Sequence, residues 1–330
     1  MRNQTKVKEF LLLGFTENHN LEIFLFVLFL IMYLMTITGN LLIIIITLTD
    51  VHLQTPMYFF LRNYAILEIG YTTAVMPKTL INLASGRKTI SYVGCITQFF
   101  LYFFLGTTDF FLLTVMSFDR YVAICHPLRY TTIMSDRFCT LLVLFSWIGS
   151  FILIFSQTMY FTHFPVCGSN VVNHFFCDFA PLHILLCGDT RLLELMSFIS
   201  AVFSLLGTLA ITIVSYGKII STVLRIPTAS GRQKAFSTCA AHIIVVSITY
   251  GSCISMYVNP VQDNRQSFNK VVAVLNNVLC PLMTPFVYCL RNKQVQQAFR
   301  DITRKLATII PTFPIQALEI QCDVLARVSG

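Results

Sequence analysis

Charged side chains within long apolar runs are the features of this sequence that could do chemistry. Asp119, Arg120 and Tyr121 lie near the end of one such run, and Glu68 and Asp109 lie inside two of them. On insertion scales an arginine at the centre of a membrane helix costs roughly 2.5–3.5 kcal/mol, and less near the ends. Charged residues at these positions therefore indicate a functional site. The alternative for Arg120 is that its long side chain only extends to the polar membrane interface.

The two isolated acids reach the same depth if their runs are helices. At about 1.5 Å per residue, Glu68 lies about 18 Å from Pro56, and Asp109 lies about 16 Å from Arg120. Two carboxylates at one depth in a low-dielectric bundle cannot both stay charged without a cation or donors between them. We expect a bound sodium ion or one shared proton, with Asn40 as a neighbour. The alternative is a protonated acid that is hydrogen-bonded in the core without an ion.

Composition identifies the environment of the chain. Hydrophobic residues make up 55% of it, charged residues 12%, and the mean hydropathy is +0.71. Soluble proteins carry about 25% charged residues, so we predict a polytopic membrane protein. The net charge of +8 belongs to loops, and because no basic face with interleaved aromatics stands apart from the apolar runs, no nucleic-acid partner is expected.

Seven apolar runs are each long enough to cross a hydrocarbon core of about 30 Å. They cover residues 22–49, 57–83, 92–125, 139–161, 191–222, 235–259 and 270–290. The predicted fold is an all-α membrane protein, a seven-transmembrane helix bundle. Residues 1–21 would precede the membrane domain at 22–290, and the two termini would lie on opposite faces because seven is odd.

The distribution of Lys and Arg predicts the orientation. The loop at 162–190 has neither residue, whereas the alternate loops and the C-terminal region are basic. The positive-inside rule then places the N-terminus outside the cell, where Asn3 in Asn3-Gln4-Thr5 could be glycosylated. No cleavable signal peptide is apparent, so the first span would serve as the targeting signal. The inner basic residues are Arg129, Arg137, Lys218, Arg225, Arg232, Lys234, Arg291, Lys293, Arg300, Arg304 and Lys305.

Residues 291–306 have the pattern of an amphipathic eighth helix lying on the inner membrane surface. Its apolar positions recur at helical spacing among basic residues: Val295, Ala298, Phe299, Ile302 and Leu306. Residues 307–330 have no clear pattern, and we expect a disordered cytoplasmic tail.

Several motifs resemble those of rhodopsin-like G-protein-coupled receptors, and specifically of olfactory receptors. The resemblance covers about residues 10–306 and is carried by MSFDRYVAICHPLRY at 116–130, LQTPMYFFL at 53–61, Ser215-Tyr216, KAFSTC at 234–239 and PFVYCLRN at 285–292. Gly39-Asn40 and Trp147 match the wider receptor class.

The resemblance implies an odorant receptor that binds small neutral apolar molecules and activates an olfactory-type stimulatory heterotrimeric G protein, raising cyclic AMP. Arg120 would pair with Asp119 at rest and meet the G protein near Tyr121, Tyr216 and Tyr288 when active. The location would be the plasma membrane of olfactory cilia, in contact with membrane lipid, with no cofactor and no enzymatic activity.

Four positions depart from the family pattern. Thr284-Pro285 replaces the usual Asn-Pro pair of the seventh span, and Gln54 replaces a histidine in the first inner loop. Glu68 stands where the family has aspartate, and Asp109 stands where it has glutamate. Threonine has fewer hydrogen-bonding sites than asparagine. We therefore expect Thr284 to affect the stability of the resting state and the threshold for activation.

A ligand pocket is expected between spans three, five and six. Interhelical packing is the alternative for some of its residues, which correspond to the family's odorant pocket: Tyr102, Phe103, Gly106, Thr107, Ser200, Ser204, Cys253, Ile254 and Tyr257. No carboxylate lies on these helix faces, so an amine would lack a counter-ion, and Lys270 is too shallow to hold retinal. A neutral, compact, largely apolar molecule is favoured.

Cys95, Cys167, Cys177 and Cys187 are the four cysteines on the predicted outer side. Four cysteines allow three pairings, and sequence alone does not choose among them. The resemblance implies Cys95–Cys177 and Cys167–Cys187. The same loop carries His163, His174 and His183, which we interpret as hydrogen-bonded or solvated rather than as metal ligands.

Other functions find less support in the sequence. We find no internal repeat of the kind that secondary transporters show, no channel filter motif and no nucleophile–base pair or metal-ligand motif of an enzyme. The main alternative is a non-olfactory rhodopsin-like receptor for a lipid or other apolar metabolite.

Overall fold

Seven long helices form the protein in a computed structural model that describes residues 7–16, 18–167, 169–258, 265–291, 295 and 297. The first six helices are α1 His19–Thr49, α2 Pro56–Ser85, α3 Tyr92–Cys125, α4 Asp136–Phe161, α5 Arg191–Leu224 and α6 Ala229–Val258. The seventh, α7, joins Arg265–Val274, the π-helical Leu275–Leu279 and Cys280–Arg291. A second π-helical stretch, Val202–Gly207, interrupts α5.

The helices begin and end at recognisable signals. The side chain of Asn18 accepts hydrogen bonds from the first turn of α1, and Ser91 does the same for α3. Pro56 occupies the first turn of α2, and Gly86 follows its end with a φ of 66°, which glycine adopts without strain. Except for α3, the helices extend a few residues beyond the predicted apolar runs at one or both ends, because polar turns continue the backbone hydrogen bonding outside the hydrocarbon layer.

Five of the described helices, α1, α3, α4, α5 and α7, are apolar and long enough to span a membrane. The other two, α2 and α6, are each 30 residues long, with a more polar composition. In α2 this comes from Arg62, Glu68 and Lys78. The main buried cluster joins side chains of α1, α2, α3 and α6, including Tyr64, Leu112 and Val246.

A small β-sheet adds to the predicted all-α architecture. Its strands are β1 Glu9–Leu12, β2 Thr89–Ser91 and β3 Val171–Val172, with β1 in the centre. Strand β1 pairs antiparallel with β2 and parallel with β3. Phe10 and Leu12 of β1 are buried, so part of the segment that precedes the first span belongs to the folded core. We call this the sheet end of the bundle and the opposite end the Arg120 end.

Helices α1 and α7 approach closely at Gly39. A Cβ atom built on Gly39 would lie 2.8 Å from Pro285 Cγ, so a side chain here would force the two helices apart. Asn40, the next residue, donates from Nδ2 to the carbonyl oxygen of Pro281 at 3.2 Å. The Gly39-Asn40 pair thereby fixes α1 against the proline-containing part of α7.

Candidate functional site

Asp119 and Arg120 form a buried ion pair at the Arg120 end of α3. Asp119 Oδ2 accepts hydrogen bonds from Arg120 Nε at 3.0 Å and from Arg120 Nη2 at 2.5 Å. Its other oxygen, Oδ1, accepts from the hydroxyl of Tyr130 at 2.7 Å. Asp119 is fully buried, so the carboxylate depends on these donors. Tyr130 was missed by the sequence-based reading although it ends the quoted motif.

The other residues predicted for the switch are more dispersed. The hydroxyl of Tyr121 contacts His126 Nε2 at 3.1 Å. Tyr216 of α5 hydrogen bonds with Nδ1 of His242 on α6, and their rings stack with centroids 5.8 Å apart. His242 is fully buried and was not singled out from the sequence, because a single histidine in an apolar run carries no spacing signal. The side chain of Tyr288 lies outside the described residues.

Glu68 of α2 and Asp109 of α3 interact electrostatically in the bundle interior. The Thr284 hydroxyl of α7 donates to Glu68 Oε1 at 3.1 Å. Threonine therefore supplies a hydrogen-bond donor to Glu68 at the position where the family has asparagine. The phenol of Tyr64 interacts with both acids. Within the described part of the chain, no donor reaches Asp109 Oδ1. Asn40, expected beside the acids, instead donates to Thr36 and Pro281.

The predicted pocket residues of α3 face different neighbours. The Tyr102 ring stacks on Tyr71 of α2, with centroids 5.2 Å apart, and a Cβ on Gly106 would also meet Tyr71, at 3.5 Å. Phe103 instead packs against Phe99, with ring centroids 4.9 Å apart. Thr107 is buried. The Tyr102 and Gly106 face of α3 therefore lies against Tyr71 of α2.

Helices α5 and α6 meet through a chain of hydroxyl groups. The Tyr250 hydroxyl donates to Thr208 Oγ1 at 2.8 Å, and Thr208 donates to the carbonyl oxygen of Ser204. Ser204 in turn donates to the carbonyl oxygen of Ser200 at 2.7 Å. The buried hydroxyl of Ser200 has no hydrogen-bond partner within the described part of the chain, which leaves it available for a ligand.

Further along α6, a polar contact with α7 was also missed by the sequence-based reading. Ser252 donates to Asn276 Oδ1 at 2.5 Å, and the Asn276 amide contacts Cys253 Sγ at 3.9 Å. Ile254 packs against the main buried cluster. The side chain of Tyr257 lies outside the described residues.

Both disulfides that the resemblance implied are present in the structure. Cys95–Cys177 joins the start of α3 to the 162–190 loop, with Cα atoms 5.5 Å apart, and Cys167–Cys187 closes that loop on itself at 5.8 Å. The Cys177 amide also donates to Gln98 Oε1 at 3.0 Å. The loop is thereby held on the sheet end of α3. Asn3 lies outside the described residues.

The loop histidines have separate surroundings. His163 Nδ1 contacts the Met159 carbonyl oxygen at 2.8 Å, and His183 Nε2 lies 3.2 Å from Glu194 Oε1. His174 is buried beside two phenylalanine rings. Burial and the nearby Lys270 lower the pKa of His174 to about 3, so this histidine is neutral at physiological pH.

A rhodopsin-like seven-helix bundle is the class of fold to which this protein belongs. The crystal structure of squid rhodopsin superposes with a TM-score of 0.70 over 94% of this chain and 87% of that chain, at 16% sequence identity. The likeness at this identity concerns the fold.

Sequence comparison then identifies the family. The family model described as olfactory receptor matches residues 29–306. Olfactory receptor 6E1 of Mus musculus is 55% identical over 92% of this chain and 98% of its own length. Olfactory receptor 6C1 of Homo sapiens is 54% identical over 92% and 98%. The chain belongs to the olfactory receptor family. It is a multi-pass membrane receptor rather than an enzyme, with a small-molecule ligand and coupling to a G protein.

Proposed function

We propose that this receptor binds small, largely apolar odorants between its helices near the sheet end and activates an olfactory-type stimulatory G protein at the Arg120 end. The result is a rise in cyclic AMP. The observation that carries the proposal is the buried Arg120–Asp119 pair with Tyr130 on its second oxygen. Because both charges of this ion pair are buried and hydrogen-bonded, the pair stabilises a resting state, and activation must break it.

The proposed ligand chamber is the interior between α2, α3, α6 and α7, beneath the 162–190 loop. Tyr71 and Tyr102 stack there and interact through their phenol groups, and Cys253 and Asn276 approach from α6 and α7. Aromatic surface with a few polar groups suits compact molecules of mixed character. The buried Ser200 hydroxyl on α5 is a further polar contact for a ligand that reaches that helix.

The signal passes from the chamber to the Arg120 end through α6. Tyr250 packs on Phe110 of α3, with ring centroids 5.2 Å apart, and donates to Thr208 of α5. Two helical turns further along α6, His242 pairs with Tyr216 of α5. A ligand that displaces Tyr250 moves α6 relative to α3 and α5, and this motion separates Arg120 from Asp119 so that Arg120 can meet the G protein.

The buried acids are part of the same proposal. Thr284 joins Glu68 to α7, and Asp109 is on the helix that carries Arg120. A single sodium ion or a single shared proton between them reduces the charge of the pair from −2 to −1 and holds α2, α3 and α7 together at rest. Motion of α7 on activation changes this contact.

The orientation that we propose places the sheet end outside the cell, at the plasma membrane of olfactory cilia. Its two disulfides suit an oxidising compartment, and glycosylation at Asn3 would occur on that side. Residues 22–290 form the receptor domain and 291–306 an amphipathic helix, followed by a cytoplasmic tail. Val295, on the apolar side of that helix, is buried in the main cluster, which supports its packing on the bundle.

The test is a screen of a few hundred neutral volatiles against cells that carry the full chain and an olfactory-type stimulatory G protein. We expect agonists that raise cyclic AMP, and Arg120→Ala should abolish the response while surface expression stays measurable. Arg87→Ala at the sheet end, where the side chain is exposed, is the matched control. A normal response from Arg120→Ala would refute the assigned switch.

A further inference from the structure

Asp178 is held over the proposed ligand chamber by its neighbours in the chain. The Phe176 ring packs on Tyr102, with centroids 4.6 Å apart. Cys177 is bonded to Cys95, and its amide donates to Gln98. Contacts on the preceding residues thus tie this part of the loop to one face of α3. The tether keeps Asp178 at the bundle instead of free in solvent.

The carboxylate of Asp178 has capacity for a further partner. Oδ1 accepts a hydrogen bond from the Phe179 amide at 2.8 Å. None of the ion pairs found among the described residues includes Asp178, and no described donor reaches Oδ2. The side chain is partly buried, and its charge acts on the phenol of Tyr102. Because Phe176 packs on Tyr102 and Cys177 is bonded to α3, Asp178 lies near the tyrosine that lines the chamber.

Aromatic rings surround Tyr102, the chamber residue nearest to this part of the loop. Tyr102 contacts Tyr71 at 5.2 Å, Phe103 at 5.1 Å and Phe176 at 4.6 Å between ring centroids. Ring faces attract organic cations, and the attraction grows where water is excluded. A carboxylate beside several ring faces is the combination that binds an ammonium group.

Two partly buried lysines of the sheet end, Lys88 and Lys270, are engaged away from Asp178. Lys88 Nζ lies 2.8 Å from Glu22 Oε1 and donates to the Thr16 carbonyl oxygen. Lys270 Nζ donates to the Gly14 carbonyl oxygen at 2.8 Å and to Asn173 Oδ1 at 2.9 Å. Both lysines secure the N-terminal segment and leave Asp178 for a cation from outside the chain.

We propose that Asp178 is the counter-ion for protonated amine ligands, whose ammonium group lies between this carboxylate and the ring of Tyr102. The proposal rests on the proposed function and widens its ligands from neutral odorants to small apolar amines. The sequence-based exclusion of amines considered only carboxylates on the helix faces, whereas this carboxylate reaches the chamber from a loop.

The state of the acid at neutral pH agrees with this role. Burial raises the pKa of Asp178 to about 6. The carboxyl is therefore mainly ionised at pH 7.4, in surroundings that disfavour the charge, and an ammonium ligand offsets that cost. Functional residues are often ionisable groups that are charged in a ligand site although burial disfavours the charge.

The experiment compares amine and neutral agonists of the same shape, such as cyclohexylamine with cyclohexanone and its homologues of larger ring size. Cyclic AMP dose–response curves are recorded for the wild type, Asp178→Asn and Asp189→Asn, with surface staining of each. Asp189 is an exposed acid of the same loop, with 76% of its side chain accessible. We expect Asp178→Asn to lower amine potency at least tenfold and to leave ketone potency within about twofold, a tenfold change being about 1.4 kcal/mol. Asp189→Asn should change neither.

The outcomes separate the two proposals. If no volatile of any kind activates the wild type, the proposed function fails. If ketones activate the wild type and the amines neither activate it nor compete with them, the amine site is refuted without any variant. Equal potency losses for amines and ketones in Asp178→Asn would also refute it. If Asp178→Asn does not reach the surface, Asp178→Glu is tested instead because it keeps the charge. We expect Asp178→Glu to keep the amine response. Loss of the amine response with an unchanged ketone response would overturn the proposal.

Discussion

The side chains around Asp119 show how one carboxylate can hold a resting state. Its two oxygens take donors from different parts of the chain, Arg120 on the same helix and Tyr130 in the following loop. Hydrogen bonds to a charged group contribute about 1.5–3 kcal/mol each. Burial and the nearby Asp119 raise the pKa of Tyr130, so the phenol remains a donor throughout the physiological pH range.

Tyr130→Phe should raise basal signalling, because Asp119 loses a donor and its contact with Arg120 becomes easier to open. We expect basal cyclic AMP, normalised to surface expression, to rise several-fold, with little dependence on pH between about 6 and 8. Tyr160→Phe removes a hydroxyl from a ring that packs on Phe164 near the sheet end and should leave basal signalling unchanged. Equal basal levels in the wild type and Tyr130→Phe would contradict this view of the resting state.

The ionisation of Asp178 should make receptor stability depend on pH. Its pKa in the folded state is about 6, compared with 3.8 when unperturbed. Below both values the carboxyl is neutral whether folded or not, and above both it is charged in both states. The burial penalty therefore develops as the pH rises from about 4 to about 6, and on the order of 3 kcal/mol of stability is lost.

Thermal unfolding in detergent at several pH values between about 4.5 and 7.5 tests this. Asp178→Asn can still accept the Phe179 amide hydrogen bond but has no charge to bury, so its unfolding midpoint relative to the wild type should increase across this window. Tyr102, which faces Asp178 from α3, does not titrate in this range. If the unfolding midpoints of the wild type and Asp178→Asn differ by the same amount at every pH, the pKa of Asp178 is not raised in the folded protein.

At the scale of secondary structure, strand β1 joins the N-terminal segment to the bundle. Alternate residues of β1 point inward, as expected for a half-buried strand. Lys88 and Lys270 donate to carbonyl oxygens just beyond it, and Phe15 stacks on Phe175 at 4.4 Å. The segment is therefore a structural part of the sheet end.

Leu12→Asp should sharply reduce surface expression, since it places a charge at a fully buried position and also loses about 2 kcal/mol of hydrophobic burial. Leu13→Asp is the matched control, because Leu13 is 39% exposed. We expect the control to reach the surface at close to wild-type levels. Comparable expression of the two variants by immunostaining of intact cells would indicate that β1 does not contribute to folding.

For the whole molecule, the acid pair connects three helices between the proposed ligand chamber and the Arg120 end. We predict that raising sodium shifts agonist dose–response curves to higher concentration in membranes, because a sodium ion between Glu68 and Asp109 favours the resting arrangement. Glu68→Gln should remove the shift, with choline replacing sodium as the ionic-strength control. A wild-type response indifferent to sodium would exclude the ion and leave the shared proton.

Local properties of the sequence were sufficient to predict the number of spans, the Arg120 site and the family. Whether a run is apolar and about twenty residues long depends on each side chain's partition between water and lipid, and the quoted motifs are contiguous. Helix α3 was predicted with the bounds that it has, Tyr92–Cys125. Boundaries of other helices differ by a few residues where polar turns continue them.

Tertiary packing alone decided which faces and loops meet. Consecutive helix residues point about 100° apart, so Tyr102 and Phe103, grouped by the sequence, contact Tyr71 and Phe99 respectively. The position of β1 between two distant loops, the pairing of His242 with Tyr216 and the approach of Asp178 to Tyr102 join residues far apart in the chain. Such contacts depend on the rotation of each helix about its axis and on the path of each loop, and both are set by the packing of the entire bundle.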